Sequence, residues 1–231
     1  MIGVLIPAYN AESTVGTAVT GARAHVAWTL VVDDGSSDAT GRRARESGAE
    51  VLTHAANVGK GAALRTGFTR MMERNVEAVV TMDADLQHDP DDIPRFIEQF
   101  RRTGADLIVG SRQHDFFSMK KGRRVGNVFS CGALKFFTGL ELPDSQSGFR
   151  LHGAEFVRSL ALRRHNYDAE MEVLLQAARQ RRRVETMPIT LRAADGTATS
   201  YFRPWVDTYR MCRTVVFYSL VESRVARTNG R

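Results

Sequence analysis

The chain has 231 residues, of which 43% are hydrophobic and 25% charged, and its formal net charge is +6. These values are typical of a globular protein with a substantial core, and they exclude a collagen-like, disordered or disulfide-scaffold chain. The charge is uneven: residues 1–100 hold 9 basic and 14 acidic residues and so carry −5, whereas residues 101–231 hold the other 23 and 12 and carry +11. The basic second part suits three kinds of anionic partner: nucleic acid, a membrane surface or a phosphorylated substrate.

Cysteine use and apolar runs narrow the class further. The two cysteines, Cys131 and Cys212, form no C-x-x-C pair, which indicates a reducing compartment without a disulfide framework or structural zinc site. Met1–Tyr9 is apolar but is interrupted by Pro7 and lacks a basic flank, so we interpret it as a strand and not as a secretory signal. No window approaches the about 20 apolar residues of a membrane helix, and we expect none in the chain.

Short β-branched runs alternate with helical patterns through the first 110 residues. The predicted strands are Ile2–Ile6, Trp28–Asp33, Val51–His54, Ala78–Asp83 and Asp106–Val109. The predicted helices are Ala11–Ala24, Asp38–Ser47, Gly61–Arg74 and Pro90–Arg102. This alternation predicts an α/β fold, a mostly parallel sheet with helices on both faces, and such sheets bind ligands at the carboxyl ends of their strands.

The second half is less regular but contains no convincing linker, so we expect a single domain over residues 1–231. We predict a mobile stretch at Ser118–Gly126 and loops at Asp144–Arg150 and Ala193–Ser200. The predicted elements are helices at Asn127–Thr138, Gly153–Leu160 and Asp168–Arg181, a strand at Val184–Ile189 and a last helix at Pro204–Arg224. That last helix is amphipathic, with Arg203, Arg210, Arg213, Arg224 and Arg227 on one side, and it either lies on a membrane surface or packs on the domain.

The strongest chemical signal is the acidic segment Asp83-Ala84-Asp85-Leu86-Gln87 after the fourth strand. Residues two apart in extended chain point the same way, so Asp83 and Asp85 can face one ligand with Gln87 close by. Carboxylate and amide oxygens suit Mg²⁺ or Mn²⁺, which keep open positions for substrate phosphates. Asp89, Asp91 and Asp92, in contrast, are explained by capping of the helix that follows.

Two further loops are candidates for ligand binding. Asp33 and Asp34, at the end of the second strand, can accept hydrogen bonds from a nucleobase or a ribose, although either could instead serve the loop itself. Asn57–Leu64 places glycines and Lys60 at a helix start, which suits an anion near backbone N–H groups. Its spacing matches neither the P-loop nor the dinucleotide-binding fingerprint.

Six motifs, taken together and in this order along the chain, resemble those of a known protein family. Any one of them alone would be too common to indicate a family. They are Pro7-x-Tyr9-Asn10, Asp33-Asp34-Gly35-Ser36-x-Asp38-x-Thr40, Asn57-x-Gly59-x-Gly61-Ala62, Asp83-Ala84-Asp85-x-Gln87, Gly110-Ser111-Arg112 and Asp144-x-Gln146-Ser147-Gly148-Phe149-Arg150. Over about residues 1–190 the chain resembles the family 2 inverting glycosyltransferases of the GT-A fold. Within that family it is most similar to the dolichyl-phosphate mannose synthases and their bacterial polyprenyl-phosphate relatives.

The resemblance implies roles for matching residues. Residues 1–110 would bind the nucleotide sugar and metal, and residues 111–231 the acceptor. Pro7, Tyr9 and Asp34 would line the binding site of the nucleotide, and Asp83 would contact the ribose or the sugar. Asp85 and Gln87 would hold Mg²⁺ or Mn²⁺ against the donor diphosphate. Arg112 would meet the acceptor phosphate, helped by Arg123, Arg124 or Ser130.

The function expected from this resemblance is transfer of a hexose, mannose or glucose, from a nucleoside-diphosphate sugar to a polyprenyl or dolichyl phosphate. The enzyme would work on the cytoplasmic membrane face as a peripheral protein, either alone or with a small membrane partner. A lipid phosphate is already an anionic nucleophile and needs no strong general base, whereas an alcohol would need one, for which Asp144, Asp168 and Glu170 are the candidates. Ala11 and Gly35-Ser36-Ser37 depart from the mannose synthase pattern and leave the base and sugar of the donor open.

Three rival functions remain at this point. A family member could instead glycosylate a saccharide, protein or small-molecule hydroxyl. A sugar-nucleotide pyrophosphorylase shares the broad fold, but the chain lacks the Gly- and Arg-rich start expected there. A basic nucleic-acid-binding protein would fit the charge, yet the sequence contains no recognised nucleic-acid module, so we expect no nucleic acid as partner.

Overall fold

Seven strands form one sheet at the centre of the molecule. The computed structural model describes residues 1–112, 121–192 and 204–218, apart from the side chains of residues 121–123, 204 and 205. The strands are β1 (Ile2–Ala8), β2 (Trp28–Asp33), β3 (Glu50–Thr53), β4 (Ala78–Thr81), β5 (Leu107–Ser111), β6 (Arg150–Gly153) and β7 (Val184–Pro188). Their order is β3-β2-β1-β4-β6-β5-β7, and all pairs are parallel except those made by β6. The predicted α/β fold with a mostly parallel sheet is confirmed.

Helices cover both faces of this sheet. They are α1 (Val15–Arg23), α2 (Thr40–Glu46), α3 (Lys60–Glu73), α4 (Ile93–Thr103), α5 (Lys121–Thr138), α6 (Ala154–Ser159), α7 (Asp168–Arg179) and α8 (Pro204–Phe217), with a 3-10 turn at Pro90–Asp92. Side chains alternate along each strand, so Val4 and Ile6 of β1 pack in one core with α1, α2 and α4, while Leu5 packs in the other. That second core also contains buried residues of α3, α5, α6, α7 and α8.

Two expectations for the second half differ from the structure. The segment Arg150–Gly153 was expected to end a loop and begin a helix, but it is strand β6, paired antiparallel with both β4 and β5. Four residues that include an arginine and a histidine give no strand signal, because their burial comes from pairing on both sides. The helix expected at Asn127–Thr138 begins earlier, at Lys121, inside the stretch Ser118–Gly126, whose mobility stays a prediction. Residues 118–120 and the loop expected at Ala193–Ser200 lie outside the described residues.

Helix α8 packs on the domain, one of the two alternatives that the sequence left open. Its residues Asp207, Met211, Thr214 and Val215 are buried against neighbouring helices. The crossing with α5 is close, since a Cβ on Gly126 would lie 2.4 Å from Thr208 Oγ1. Arg203, Arg224 and Arg227 fall outside the described residues. Across the stretches that the structure describes, no helix has the length and apolar character needed to cross a bilayer.

The sheet topology fixes where a ligand can bind. The chain runs from β1 outward to β2 and β3 and then returns to place β4 on the other side of β1. The carboxyl ends of β1, β2 and β4 therefore share one edge, with a switch in strand order between β1 and β4. Strand β6 starts at that edge, since Arg150 pairs with Thr81, so the Asp144–Phe149 loop reaches the same place.

Candidate functional site

A cavity of about 620 Å³ opens at this edge of the sheet. It is bounded by the loops after β1, β2 and β4, by the start of α3, by the chain before α7 and by α8. The lining residues are Pro7, Ala8, Tyr9, Ala11, Thr14, Asp34, Asn57, Gly59, Lys60, Ala63, Asp83, Ala84, Asp85, Asn166, Tyr167, Asp207 and Arg210. The structure thus brings five of the six predicted donor residues to one cavity, and only Asp33 is elsewhere.

A largely buried ionic cluster lies at the floor of the cavity. Lys60 Nζ is 2.5 Å from Asp83 Oδ1 and 2.7 Å from Glu170 Oε1, and the side chains of Lys60, Asp83 and Glu170 are 14%, 27% and 6% exposed. Burial alone would raise the pKa of Asp83, but the charges of Lys60, His88 and Arg112 outweigh it and lower that pKa. For Lys60, burial opposes the charged form and the two carboxylates raise its pKa above the ordinary value. Asp83 and Lys60 are therefore both charged at neutral pH.

The loop before β6 is built tightly around this cluster. The Arg150 guanidinium is buried and donates to the carbonyl oxygens of Ser147 at 2.7 Å, Glu170 at 2.8 Å and Ser145 at 2.9 Å. Thr81 Oγ1 donates to the Gly148 carbonyl at 2.9 Å. These bonds press Gly148 against the ion pairs, so that a Cβ there would lie 2.7 Å from Asp83 Oδ2. The Gln146–Arg150 part of the motif thus shapes the cavity floor.

Replacing Gly148 tests this packing. A Cβ at position 148 would also lie 2.9 Å from both Lys60 Nζ and Glu170 Oε1, so we expect Gly148→Ala to lower the free energy of unfolding by about 1–3 kcal/mol. Gly132→Ala is the matched control, because a Cβ on Gly132, within α5, meets nothing within 4 Å and alanine favours the helix. Urea unfolding measures the stability of both variants. Equal stability of Gly148→Ala and Gly132→Ala would contradict the tight packing at Gly148.

Asp34 supports the cavity from the end of β2. Its carboxylate accepts the backbone N–H groups of Gly59 at 2.7 Å and Val58 at 3.1 Å, and Oδ1 lies 2.6 Å from His54 Nδ1. The N–H of Gly61 donates to the His165 carbonyl. The helix start was expected to receive an anion on its N–H groups, and in the structure these groups are occupied within the protein, leaving the Lys60 side chain toward the cavity.

Asp33 has a different environment from Asp34. Its carboxylate is buried, accepts the Ser36 N–H at 3.0 Å and lies against the first turn of α2 at Gly41. It orders the loop after β2 and does not line the cavity. Adjacent aspartates after a strand point to opposite sides, which explains the split.

The acidic segment after β4 turns instead of continuing as a strand. Strand β4 ends at Thr81, Leu86 has φ of +60°, and the Gln87 N–H donates to Asp85 Oδ1 at 3.1 Å. Asp83 and Asp85 both line the cavity, whereas Gln87 does not. The expected alignment of three side chains therefore holds for two, because the extended geometry ends before the motif begins.

The acidic side chains at the cavity suit a divalent cation only together with a bound substrate. Among the described residues no group of three or more His, Cys, Asp or Glu side chains is arranged to hold a metal by itself. Mg²⁺ in nucleotide sites is commonly bound by one or two carboxylates together with substrate phosphates and waters, so a cavity carboxylate such as Asp85 fits that mode. Asp83 is already neutralised by Lys60.

Arg112 and Asp144 form a buried bidentate pair beside the cavity. Arg112 Nε is 2.6 Å from Asp144 Oδ2, and a terminal nitrogen is 2.9 Å from Oδ1. Burial would raise the pKa of Asp144, but Arg112 and the Gln146 N–H lower it. The Ser130 hydroxyl is fully buried, 2.7 Å from Ser145 Oγ. Arg112, Asp144 and Ser130 do not line the cavity.

The other two predicted acceptor residues lie on α5. Arg124 is half-buried and also does not line the cavity, and the side chain of Arg123 is outside the described residues. The structure therefore does not gather Arg112, Arg124 and Ser130 on one open surface.

Several cavity residues were not predicted as such. Tyr167 lies with its ring centroid 5.3 Å from Lys60 Nζ, and burial, followed by nearby carboxylates, raises its pKa to about 12. Glu170, considered only as a base, does not line the cavity itself but is an ion-pair partner of Lys60, which does. Asp207 and Arg210 enter from α8. The acidic residues at the predicted helix start Asp168–Glu170 were the signal available in the sequence. Nothing in their spacing indicates that Glu170 pairs with Lys60.

The chain is similar in sequence to known glycosyltransferases. Residues 3–163 match the family model described as glycosyl transferase family 2. The chain is 33% identical over 172 residues to an undecaprenyl-phosphate mannosyltransferase of Micrococcus luteus, covering 70% of each chain. It is 31% identical over 216 residues to a UDP-N-acetylglucosamine–dolichyl-phosphate N-acetylglucosaminyltransferase of Methanococcus voltae, covering 82% of this chain and 84% of that one.

A solved structure agrees in fold. Glucosyl-3-phosphoglycerate synthase of Mycobacterium tuberculosis, crystallised with phosphoglyceric acid, superposes with a TM-score of 0.77 at 21% identity, covering 95% of this chain and 80% of that one. Another crystal structure of that synthase contains Mn²⁺, UDP and phosphoglyceric acid. The GT-A fold implied by the six motifs is confirmed.

Proposed function

The chain belongs to glycosyl transferase family 2, and from that membership we propose that it transfers a sugar from a nucleoside diphosphate to a polyprenyl phosphate. Both relatives described above are named for transfer to a polyprenyl or dolichyl phosphate. One is named as a mannosyltransferase and the other as an N-acetylglucosaminyltransferase, so their names agree on the acceptor and not on the sugar.

The state of the candidate bases carries the proposal for a phosphate acceptor. Asp144 is held by two bonds from Arg112 with a lowered pKa, and Glu170 is ion-paired with Lys60. Asp168 is buried, with Thr214 Oγ1 3.4 Å from its Oδ2 and no hydrogen-bond partner at its Oδ1 among the described residues. A hydroxyl acceptor would need one of them as base, whereas a lipid phosphate attacks as an anion and needs none. None of these three carboxylates is among the described residues that line the cavity, and this favours the phosphate as acceptor.

On this proposal the cavity residues divide the work of binding the donor. Pro7 and Tyr9 line the nucleotide, and Asp34 keeps the loop before α3 in shape. Asp83, fixed by Lys60, orients the sugar or ribose, and Asp85 faces the diphosphate. A bound Mg²⁺ or Mn²⁺ would supply positive charge where the departing diphosphate becomes more negative. Attack from the opposite side of the sugar inverts its anomeric centre.

A thermal-shift panel tests the donor and the cation together. We expect one class of nucleotide sugar, GDP- or UDP-linked, to raise the melting temperature, and to raise it further with Mn²⁺, because ligands that bind only the folded state stabilise it. The Mycobacterium tuberculosis synthase crystallised with Mn²⁺ and UDP supports including both in the panel. If no nucleotide sugar changed the melting temperature with or without Mn²⁺, the proposed donor would be wrong.

Helices α5 and α8 together present an apolar outer face suited to a membrane surface. On α5, Val128, Phe129 and Phe136 are 58%, 66% and 83% exposed, and on α8 Tyr209 is 67% exposed. Clustered exposed apolar side chains on helices mark interaction surfaces, and a nearby basic chain favours anionic lipids. Residues 101–231, which include both helices, carry +11. We propose that this α5–α8 face rests on the membrane that contains the lipid acceptor.

Acidic substitutions test the α5–α8 face. The double variant Phe129→Glu/Phe136→Glu should lose sedimentation with vesicles of phosphatidylglycerol and phosphatidylcholine, because charge opposes insertion of the face. Thr17→Glu/Thr20→Glu is the control, adding the same charge at exposed sites on α1, which covers the opposite side of the sheet. Equal vesicle binding by the two double variants would contradict this surface.

A further inference from the structure

Helix α8 contributes a wall of the cavity although it lies outside the residues matched by the family model. The match covers residues 3–163, and α8 begins at Pro204. Asp207 and Arg210 line the same cavity as Asp83 and Asp85. The function of these two α8 residues therefore has to be inferred from their own surroundings.

Several buried contacts hold α8 in place. Met211 and Val215 lie in the core shared with α3 and α7, and Thr214 Oγ1 donates to Asp168 Oδ2 on α7. At the end of the described helix, the Tyr218 hydroxyl bonds to the Glu172 carboxylate. Because the helix is anchored at these points, Arg210 has a defined position at the cavity and is not on a loose terminus.

The described lining of the cavity has more acidic than basic side chains. Among the described residues the acidic ones are Asp34, Asp83, Asp85 and Asp207, and the basic ones are Lys60 and Arg210. Lys60 is neutralised by carboxylates at 2.5 and 2.7 Å. Arg210 is 32% exposed, and its nitrogen lies 3.3 Å from Asp207 Oδ1, long for a charge-assisted hydrogen bond. Of the two cations, Arg210 has the greater capacity for an incoming anion.

The position of Arg210 along the cavity follows from Tyr167. Tyr167, Asp207 and Arg210 line the same cavity as Lys60, and the Tyr167 ring lies 5.3 Å from Lys60 Nζ. In agreement with this placement, Asp207 is among the carboxylates that, after burial, raise the Tyr167 pKa to about 12. A guanidinium there presents a planar fork of donors that matches phosphate oxygens.

We propose that Arg210 binds the diphosphate of the donor nucleotide, with Asp207 as the positioning residue for its guanidinium. The inference rests on the proposed function for the identity of the ligand. It adds to that function a phosphate contact from the C-terminal helix, which couples the docking of α8 on the domain to donor binding.

Calorimetric titration of Arg210→Gln with GDP and UDP, at fixed Mg²⁺, tests the contact. We expect affinity for the nucleotide that binds wild type to fall about tenfold or more, since one charge-assisted bond is lost, while affinity for guanosine or uridine is unchanged. Arg210→Lys should keep part of the affinity. Arg213→Gln, which removes the same charge from an exposed site three residues along α8, should bind as wild type does.

Each other outcome has a defined meaning. Unchanged nucleotide affinity in Arg210→Gln, or an equal loss in Arg213→Gln, would overturn the inference, as would wild type that binds neither nucleotide. A loss confined to the KM of the polyprenyl phosphate would assign Arg210 to the acceptor and overturn it as well. If wild type transferred no sugar but Arg210→Gln still weakened GDP or UDP binding, the proposed function would fail and the phosphate contact would stand.

Discussion

Asp85→Ala is expected to reduce sugar transfer on the order of 10²–10³-fold or more, the range seen when a group that stabilises developing charge is removed. Asp85 lines the cavity on the turn after β4 and, unlike Asp83, is not part of the Lys60 cluster. Its loss removes the carboxylate proposed to hold the cation against the diphosphate. The fold should be little affected, since Asp85 is only half-buried.

Two measurements separate this role from a general loss of charge. Asp91→Ala, in the following turn, removes an exposed carboxylate whose described ion pair is with His25, and it should retain near wild-type activity. In thermal-shift experiments, wild type should gain more from nucleotide with Mn²⁺ than from nucleotide alone, and Asp85→Ala should lose that difference. An Asp85→Ala protein that kept the Mn²⁺-dependent gain would contradict the assignment.

Lys60→Met is expected to destabilise the protein by about 3–5 kcal/mol, because it leaves the buried Glu170 carboxylate and the partly buried Asp83 carboxylate without their cation. Removing Lys60 also reverses the pH dependence. In wild type the pKa of Asp83 is lowered, so its stabilising contribution is present above the ordinary carboxyl pKa and lost as the pH falls. In the variant that pKa rises, so the destabilisation should be largest at about pH 8 and smaller at about pH 5.

The control for Lys60 is a lysine in a surface ion pair. Lys135 lies 2.8 Å from Glu141, but the two side chains are 58% and 73% exposed, so Lys135→Met should change stability by less than about 1 kcal/mol. Urea unfolding at both pH values measures the effect. Equal stability losses in the two variants, or a Lys60→Met loss that did not shrink at the lower pH, would contradict the buried cluster.

Much of the first half could be predicted from sequence because its signals are local. Alternating apolar runs and short polar loops located β1 to β5 within a few residues, and parallel strands ending at one edge gathered Tyr9, Asp34 and Asp83. The separation of Asp33 from Asp34 follows from strand alternation, but which of the two faces the cavity depends on the packing of α2. That packing is tertiary information.

The second half was harder because its determinants are contacts between distant segments. Strand β6 is buried by neighbours on both sides, not by its own hydrophobicity. Arg150 has a basic side chain typical of a surface or a ligand site, yet it is buried and bonds three carbonyl oxygens. Glu170 reaches Lys60, and Arg210 reaches the cavity, only through the docking of α7 and α8, which no spacing in the sequence encodes.

The acceptor is the central claim, and one transfer assay tests it directly. Purified protein with Mn²⁺ and labelled nucleotide sugar would be offered a polyprenyl phosphate, the matching polyprenol and a soluble saccharide. We expect label on the polyprenyl phosphate alone, with inverted anomeric configuration, because the candidate bases Asp144, Asp168 and Glu170 are not among the described residues that line the cavity. Label on the polyprenol or the saccharide, with none on the phosphate, would contradict it.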